Sequence, residues 1–252
     1  MVEKENNTSK QKRKNVNMLK MEANKEILNL KPITAEMNIL SRSDGSVIIT
    51  QGDSSCIVNV NGPTEVVSMA NMDMNKAYME VSYRPRCGIP GVNERYKEKI
   101  IKNICETVIL TALYPKSQIN IQIQEMDDGS GIFACVINAC NVALLNSGIE
   151  MRSTMAAVHC VLNDKDDLIV DPIDYSEDTP TFSRIQKAVR NSKYKADFTF
   201  VFESIKESVI SVNTNGTFTI HQYNNAQKLC KEASKKIFEF YCDLARKYAN
   251  II

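Results

Sequence analysis

The stretch Asp127-Asp128-Gly129-Ser130-Gly131, running directly into the apolar segment Ile132 to Leu145, constrains the fold of this chain more than any other. A glycine-rich turn opens onto a run long enough for a helix. Ile132, Phe133, Val136, Ile137, Cys140, Val142, Ala143 and Leu144 leave almost no polar stripe. A helix apolar nearly all round belongs in the middle of a fold. Asp128 or Ser130 is expected to cap its start, and Ser147-Gly148 to close it. The backbone N–H groups at such a start suit an anion. A bound phosphate also calls for a cation, yet no Lys or Arg occurs from Ser117 to Met151.

Length and charge narrow the class. A chain of 252 residues fits one large domain, or one domain with extensions. A net charge of +1 carries no global signature of nucleic-acid binding, so any basic surface is local. The eight cysteines form no CxxC pair, and several sit in apolar runs as small hydrophobes. With two histidines, a zinc site is not expected. The sequence shows no signal peptide and no run of 18 apolar residues, which points to a reducing compartment, cytosol or nucleus, and to no membrane association.

Residues 1–33 differ from the rest. Eight cations, Lys10 to Lys14 among them, stand against four glutamates, a net of +4. The segment reads as a solvated tail, or as a basic arm for RNA or nuclear import. From Glu36 the pattern has period two. Val47-Ile48-Ile49 follows Asp44-Gly45, a strong hairpin signal. A strand over Cys56 to Val60 is expected to end at Gly62-Pro63, with further strands at Val66 to Met69 and Ala77 to Tyr83, all in one antiparallel meander.

Arg84 to Gly91 is a loop by its prolines and glycines. A helix follows, with Ile100, Ile101, Ile104, Cys105, Val108 and Ile109 at helical spacing. Ile119, Ile121 and Ile123 alternate with polar residues as a strand. Beyond the buried helix, strands are expected at Ala156 to Leu162, Leu168 to Val170, Phe198 to Phe202, Val209 to Val212 and Phe218 to Ile220. Residues 179–195 read as an insertion whose helical face carries Arg184, Lys187, Arg190, Lys193 and Lys195. It suits RNA, a membrane surface or a partner, and equally a solvated face. A stripe from Ala226 to Tyr248 closes the chain as a long helix. The class is α+β, one domain over about 34–250.

Few constellations carry chemistry. His159 sits in an apolar strand and His221 begins the last helix, neither beside a nucleophile motif. The carboxylate pairs Asp127-Asp128, Asp166-Asp167 and Glu177-Asp178 suit turns as much as a metal. Arg84, Arg86 and Arg95 bracket a Gly/Pro turn that enters a helix carrying Lys97 and Lys99. Guanidinium groups suit phosphate recognition, whereas ion pairs to Glu94 and Glu98 would make the same residues a solvated helix start.

The order of these elements resembles RNase PH-like proteins, and among them the ring subunits of the RNA exosome. The resemblance rests on Ile39 to Ser46, on Asp53 to Pro63, on Gly91 to Glu98, on Ile137 to Gly148 and on Val170-Asp171-Pro172. It covers roughly Ala35 to Tyr248, interrupted by the insertion. It implies an RNase PH-like (ribosomal protein S5 domain 2-like) fold, with two βαβ-like halves around central helices. It also implies six such subunits in a ring, S1/KH cap subunits above it, RNA in its channel, no cofactor, and a place in nucleus, nucleolus and cytoplasm.

Phosphorolytic members hold phosphate with a Thr-Arg or Ser-Arg pair before the central helix, where this chain has Ile132 and Phe133. They also use two Asp. Asp178 matches the first, whereas the second falls near Thr199, with Asp197 two residues along the same face. Arg95 is retained, but its neighbour is Glu94. The implied function is a non-catalytic ring subunit whose Arg84, Arg86, Arg95, Lys97 and Lys99 line an RNA path. An active exoribonuclease using Asp178 and Asp197, with or without a metal, and a free-standing RNA-binding protein are the alternatives. Met18 or Met21 could begin the chain instead of Met1.

Overall fold

A computed structural model describes residues 30–249 apart from 68, 70, 71, 164, 165 and 173–193. The basic tail up to residue 29, nearly all of the 179–195 insertion, and Asp178 lie outside the described residues.

The first half is a five-stranded sheet. β1 (Ile33–Met37), β2 (Gly45–Gln51) and β3 (Ser54–Glu65) form antiparallel neighbours, as the Asp44-Gly45 and Gly52-Asp53 turns require. The meander ends there. β4 (Tyr78–Arg84) does not pair with β3: β5 (Ser117–Asp127) lies between them, antiparallel to β3 and parallel to β4, in the order β1-β2-β3-β5-β4. Parallel strands need a crossover, and helix α1 (Val92–Val108) supplies it. The buried edge of α1 is Ile101, Ile104, Cys105 and Val108, at the spacing expected of one face.

Two strand limits differ from expectation. β3 runs through Gly62-Pro63 to Glu65, because its register against β5 shifts between Asn61 and Thr64. A proline lacks the ladder N–H but is tolerated at such an irregularity. Val66 and Val67 then follow outside any strand.

Helix α2 (Ile132–Ser147) packs on β2 and β3 on one side and on β6 (Met155–Leu162) on the other. Its first thirteen residues are buried, which its continuous apolar character requires. The approach is close at Gly45, where a Cβ would run into the Ala143 carbonyl and meet Ser147 at 2.8 Å. At roughly 1.5–3 kcal/mol for each large side chain buried, this helix is the main apolar contribution joining the halves.

The second sheet has the order β7-β6-β8-β9, with β7 Leu168–Val170, β8 Ala196–Glu203 and β9 Val209–Gly216. All its pairs are antiparallel, so the parallel βαβ unit belongs to the first half. Phe218, expected in a strand, instead sets its ring edge-on to Phe198 at 4.8 Å and stacks on Tyr223 at 6.1 Å. Helix α3 (Ile220–Ala249) starts two residues later and packs on β6, β7 and β8. Tyr241 of α3 donates to Asn138 Oδ1 of α2 at 3.0 Å, a polar contact within the core. No described helix is long and apolar enough to cross a membrane.

Candidate functional site

The glycine-rich turn is where the candidate residues converge. Gly131 is the residue before α2 and takes the left-handed conformation, φ +82°. It takes the N-cap position expected of Asp128 or Ser130 and has no side chain to cap with. Ser130 instead turns its carbonyl inward, where it accepts from Lys31 Nζ and Ser54 Oγ, each at 3.2 Å. A Cβ on Gly131 would strike the His159 ring at 3.2 Å. The next two positions, Ile132 and Phe133, are 7 % and 9 % exposed. The helix start therefore offers backbone N–H groups beside the buried hydrocarbon of Ile132 and Phe133.

Two cations stand at this turn, and each already has a carboxylate. Lys31, counted with the tail in the sequence, is 3 % exposed and belongs to the fold. Its Nζ is 3.9 Å from Asp171 Oδ1. Asp171 Oδ2 accepts from the Lys31 backbone N–H at 3.1 Å and from Gln51 Nε2 at 2.9 Å. Arg86 is the second cation. Its guanidinium lies 3.1 Å from Asp127 Oδ1, while Asp127 Oδ2 accepts from Ser55 Oγ.

The histidine beside Gly131 has an acid of its own. In the β6–β8 register His159 faces Thr199, and Asp197 is the diagonal neighbour two residues away. His159 Nδ1 lies 3.1 Å from Asp197 Oδ1, within ion-pair reach but off the line that a hydrogen bond needs. His159 is nearly buried, and its carbonyl accepts from the Asp171 N–H at 2.8 Å. Asp197 thus meets His159, the side chain that a Cβ on Gly131 would approach. Asp178, its expected companion, lies outside the described residues.

The basic loop reaches the same end of the first sheet. Gln124 Nε2 donates to the Pro85 carbonyl at 3.1 Å, and Tyr83 N–H donates to Glu98 Oε1 at 2.8 Å, folding the start of α1 back over β4. Burial pushes the Glu98 carboxyl up, against a smaller downward pull from Arg95. Glu94 bends back to accept the Gly91 N–H at 2.7 Å. Arg84, Arg95 and Lys99 remain exposed.

Lys97 is corrected. Its ammonium turns inward, 3.1 Å from Glu125 Oε1, 3.0 Å from the Tyr83 hydroxyl and 4.6 Å over the Tyr83 ring. Tyr83 itself donates to Glu125, which is 4 % exposed. Burying that carboxylate requires a partner, and Lys97 is the partner. Among the described residues no three His, Cys, Asp or Glu side chains gather as metal ligands.

Sequence reasoning missed Lys31, Gln51, Asp171 and Glu125 as site-building residues. An acid within the alternation of β5, on the face that carries Ile121 and Ile123, was the available signal for Glu125. Nothing local announced the partnership of Lys31 with a residue 140 positions away.

Residues 29–150 match the model of the 3′ exoribonuclease family, domain 1. An exosome complex exonuclease RRP46 homolog of Arabidopsis thaliana is 32% identical over 143 residues, 57% of this chain and 59% of that protein. The exosome complex component rrp46 of Schizosaccharomyces pombe is 37% identical over 125 residues, 49% of this chain and 55% of the relative. These matches span less than two thirds of either relative. The exosome complex component Rrp41 of Archaeoglobus fulgidus is 27% identical over 238 residues, 88% of this chain and 85% of that one. Among solved structures, rice Rrp46 superposes with a TM-score of 0.74 at 23% identity, covering 85% of this chain and 94% of the other. The fold is therefore the RNase PH-like α+β fold.

Proposed function

We propose that this chain, a homologue of RNase PH-family exosome subunits, is a non-catalytic member of the RNA exosome core ring. The observation that carries the reading is the buried pair Ile132 and Phe133 at the start of α2. Phosphoryl transfer is mostly positioning and charge stabilisation. With Lys31 held by Asp171 and Arg86 by Asp127, the turn has the backbone cradle but not the cation that an attacking phosphate needs. In this reading the subunit joins RNase PH-like neighbours in a hexamer beneath S1/KH cap subunits, in nucleus, nucleolus and cytoplasm. It contributes to 3′–5′ RNA processing and degradation by building the ring and guiding RNA to a separate nuclease. Eukaryotic exosome component five is the counterpart we propose, in keeping with the RRP46 names among the relatives.

One observation favours a second reading. His159 and Asp197 meet beside Gly131, a base and an acid at the mouth of an anion-binding helix start. An exoribonuclease built on them would lose its activity in Asp197→Asn.

Purification of the tagged chain from its own cells, followed by native mass measurement, tests ring membership. The expected result is a multi-subunit assembly with several RNase PH-like chains in equal amounts. A chain recovered only as a monomer contradicts it.

A further inference from the structure

Helix α1 places an aromatic ring among the exposed cations. Tyr96 is 57 % exposed, and no hydrogen bond or ring contact engages it among the described residues. The two tyrosines of β4 are occupied: Tyr83 lies under Lys97 and Tyr78 under Lys102. A single exposed tyrosine means little by itself. What surrounds this one gives it meaning.

The two acids of the same stretch are turned away to backbone donors, Glu94 to the Gly91 N–H and Glu98 to the Tyr83 N–H. Lys97 is turned inward to Glu125. The outward side chains that remain around Tyr96 are Arg95 and Lys99, one helical turn apart, about 6 Å along the axis. Arg84 is exposed where β4 enters the loop that leads to this helix. A ring between guanidinium and ammonium groups is the combination that binds a single strand without regard to sequence. The cations track phosphates and the ring stacks a base.

We propose that Tyr96 is the base-stacking platform of a single-stranded RNA track on α1, with Arg95 and Lys99 holding the flanking phosphates. This rests on the reading that RNA passes the subunit, and it assigns the contact that reads a base face rather than charge. A protein partner seated on Tyr96 is the competing occupant. The exposed cations Arg84, Arg95 and Lys99 around the ring favour a polyanion instead.

The chain has no tryptophan, so full-length Tyr96→Trp carries a single indole at the site. Its fluorescence is followed while unlabelled oligoadenylate or inorganic polyphosphate is added, with binding measured in parallel by anisotropy of a labelled RNA. The expected result is saturable quenching by oligoadenylate in step with binding, and none by polyphosphate although it competes for the cations. Tyr96→Ala should weaken RNA binding about tenfold, the effect of losing one stacked base, whereas Tyr96→Phe binds as the parent does. RNA binding with neither quenching nor loss in Tyr96→Ala overturns the stacking platform and leaves the RNA path standing. No binding of RNA by any form overturns both. Loss of a ring neighbour from Tyr96→Ala complexes, with RNA affinity intact, assigns the ring to a protein contact and also overturns the proposal.

Discussion

Lys31 and Asp171, 140 residues apart in the chain, meet in the core with both side chains 1 % exposed and Nζ 3.9 Å from Oδ1. The pair ties the segment before β1 to the residue after β7, beneath the turn that opens α2. Removing one member of a buried pair strands the other charge. Lys31→Met should therefore cost about 3 kcal/mol, towards the low end because two further donors still reach Asp171. Urea unfolding followed by circular dichroism measures it. A midpoint shift equivalent to less than about 1 kcal/mol would place Lys31 in the solvated tail after all.

Lys97 and Lys99, two residues apart, should separate stability from binding. Lys97→Met leaves Glu125 buried with the Tyr83 hydroxyl as a neutral partner, and is expected to destabilise by about 3 kcal/mol. Lys99→Met should leave the unfolding midpoint unchanged, weaken RNA binding, and lower the slope of log affinity against log salt by about one. The reverse assignment, with Lys97 governing the salt slope, would contradict the geometry.

The core thiols should be inert. Burial pushes the Cys105 thiol up to about 12 and raises Cys140, while a hydrogen bond donated to a neighbouring thiol, with burial, raises Cys56 (to Cys135) and Cys230 (to Cys160). Thiolates are the reactive species. Iodoacetamide under native conditions should modify Cys87 and Cys242, which are exposed, and spare the other six. Mass spectrometry of the tryptic peptides reads the outcome. Rapid modification of Cys105 or Cys140 would mean that α1 and α2 open far more readily than their packing allows.

Much of the scaffold was legible because its signals are local. The Asp44-Gly45 hairpin, the alternation of Ile119, Ile121 and Ile123, and the unbroken apolar face of α2 each follow from a few adjacent residues. The insertion of β5 between β3 and β4 was not legible, since alternation marks a strand without naming its neighbour. The cap of α2 misled for a related reason. Asp128 and Ser130 have the right chemistry, but the Ser130 carbonyl is drawn to Lys31, far away in sequence, and Gly131 takes the helix entry. At the site, the lack of Lys and Arg over residues 117–151 gave no hint of the two cations that the fold brings to the turn, Lys31 and Arg86, and the inward turn of Lys97 depended on Glu125 across the sheet.

Acid stability should depend in part on Glu207. A hydrogen bond from Lys231, with the Lys235 charge beside it, holds its carboxyl below the usual range. A folded-state value below the unfolded one contributes stability above the unfolded pKa, and that contribution is lost as pH falls through the folded value. Glu207→Gln should therefore bring the variant and parent melting temperatures closer together as pH drops from 6 towards 3, roughly the span over which a surface carboxylate protonates. A difference independent of pH would exclude the ion pair as its source.

The proposed loss of phosphate activation is open to direct test. Purified protein, alongside Asp197→Asn prepared identically, is incubated with 5′-labelled single-stranded RNA with and without inorganic phosphate, and nucleoside diphosphates are measured. No shortening and no diphosphate release, equal in parent and variant, is the predicted result. Phosphate-dependent release of nucleoside diphosphates by the parent, abolished in Asp197→Asn, would contradict it.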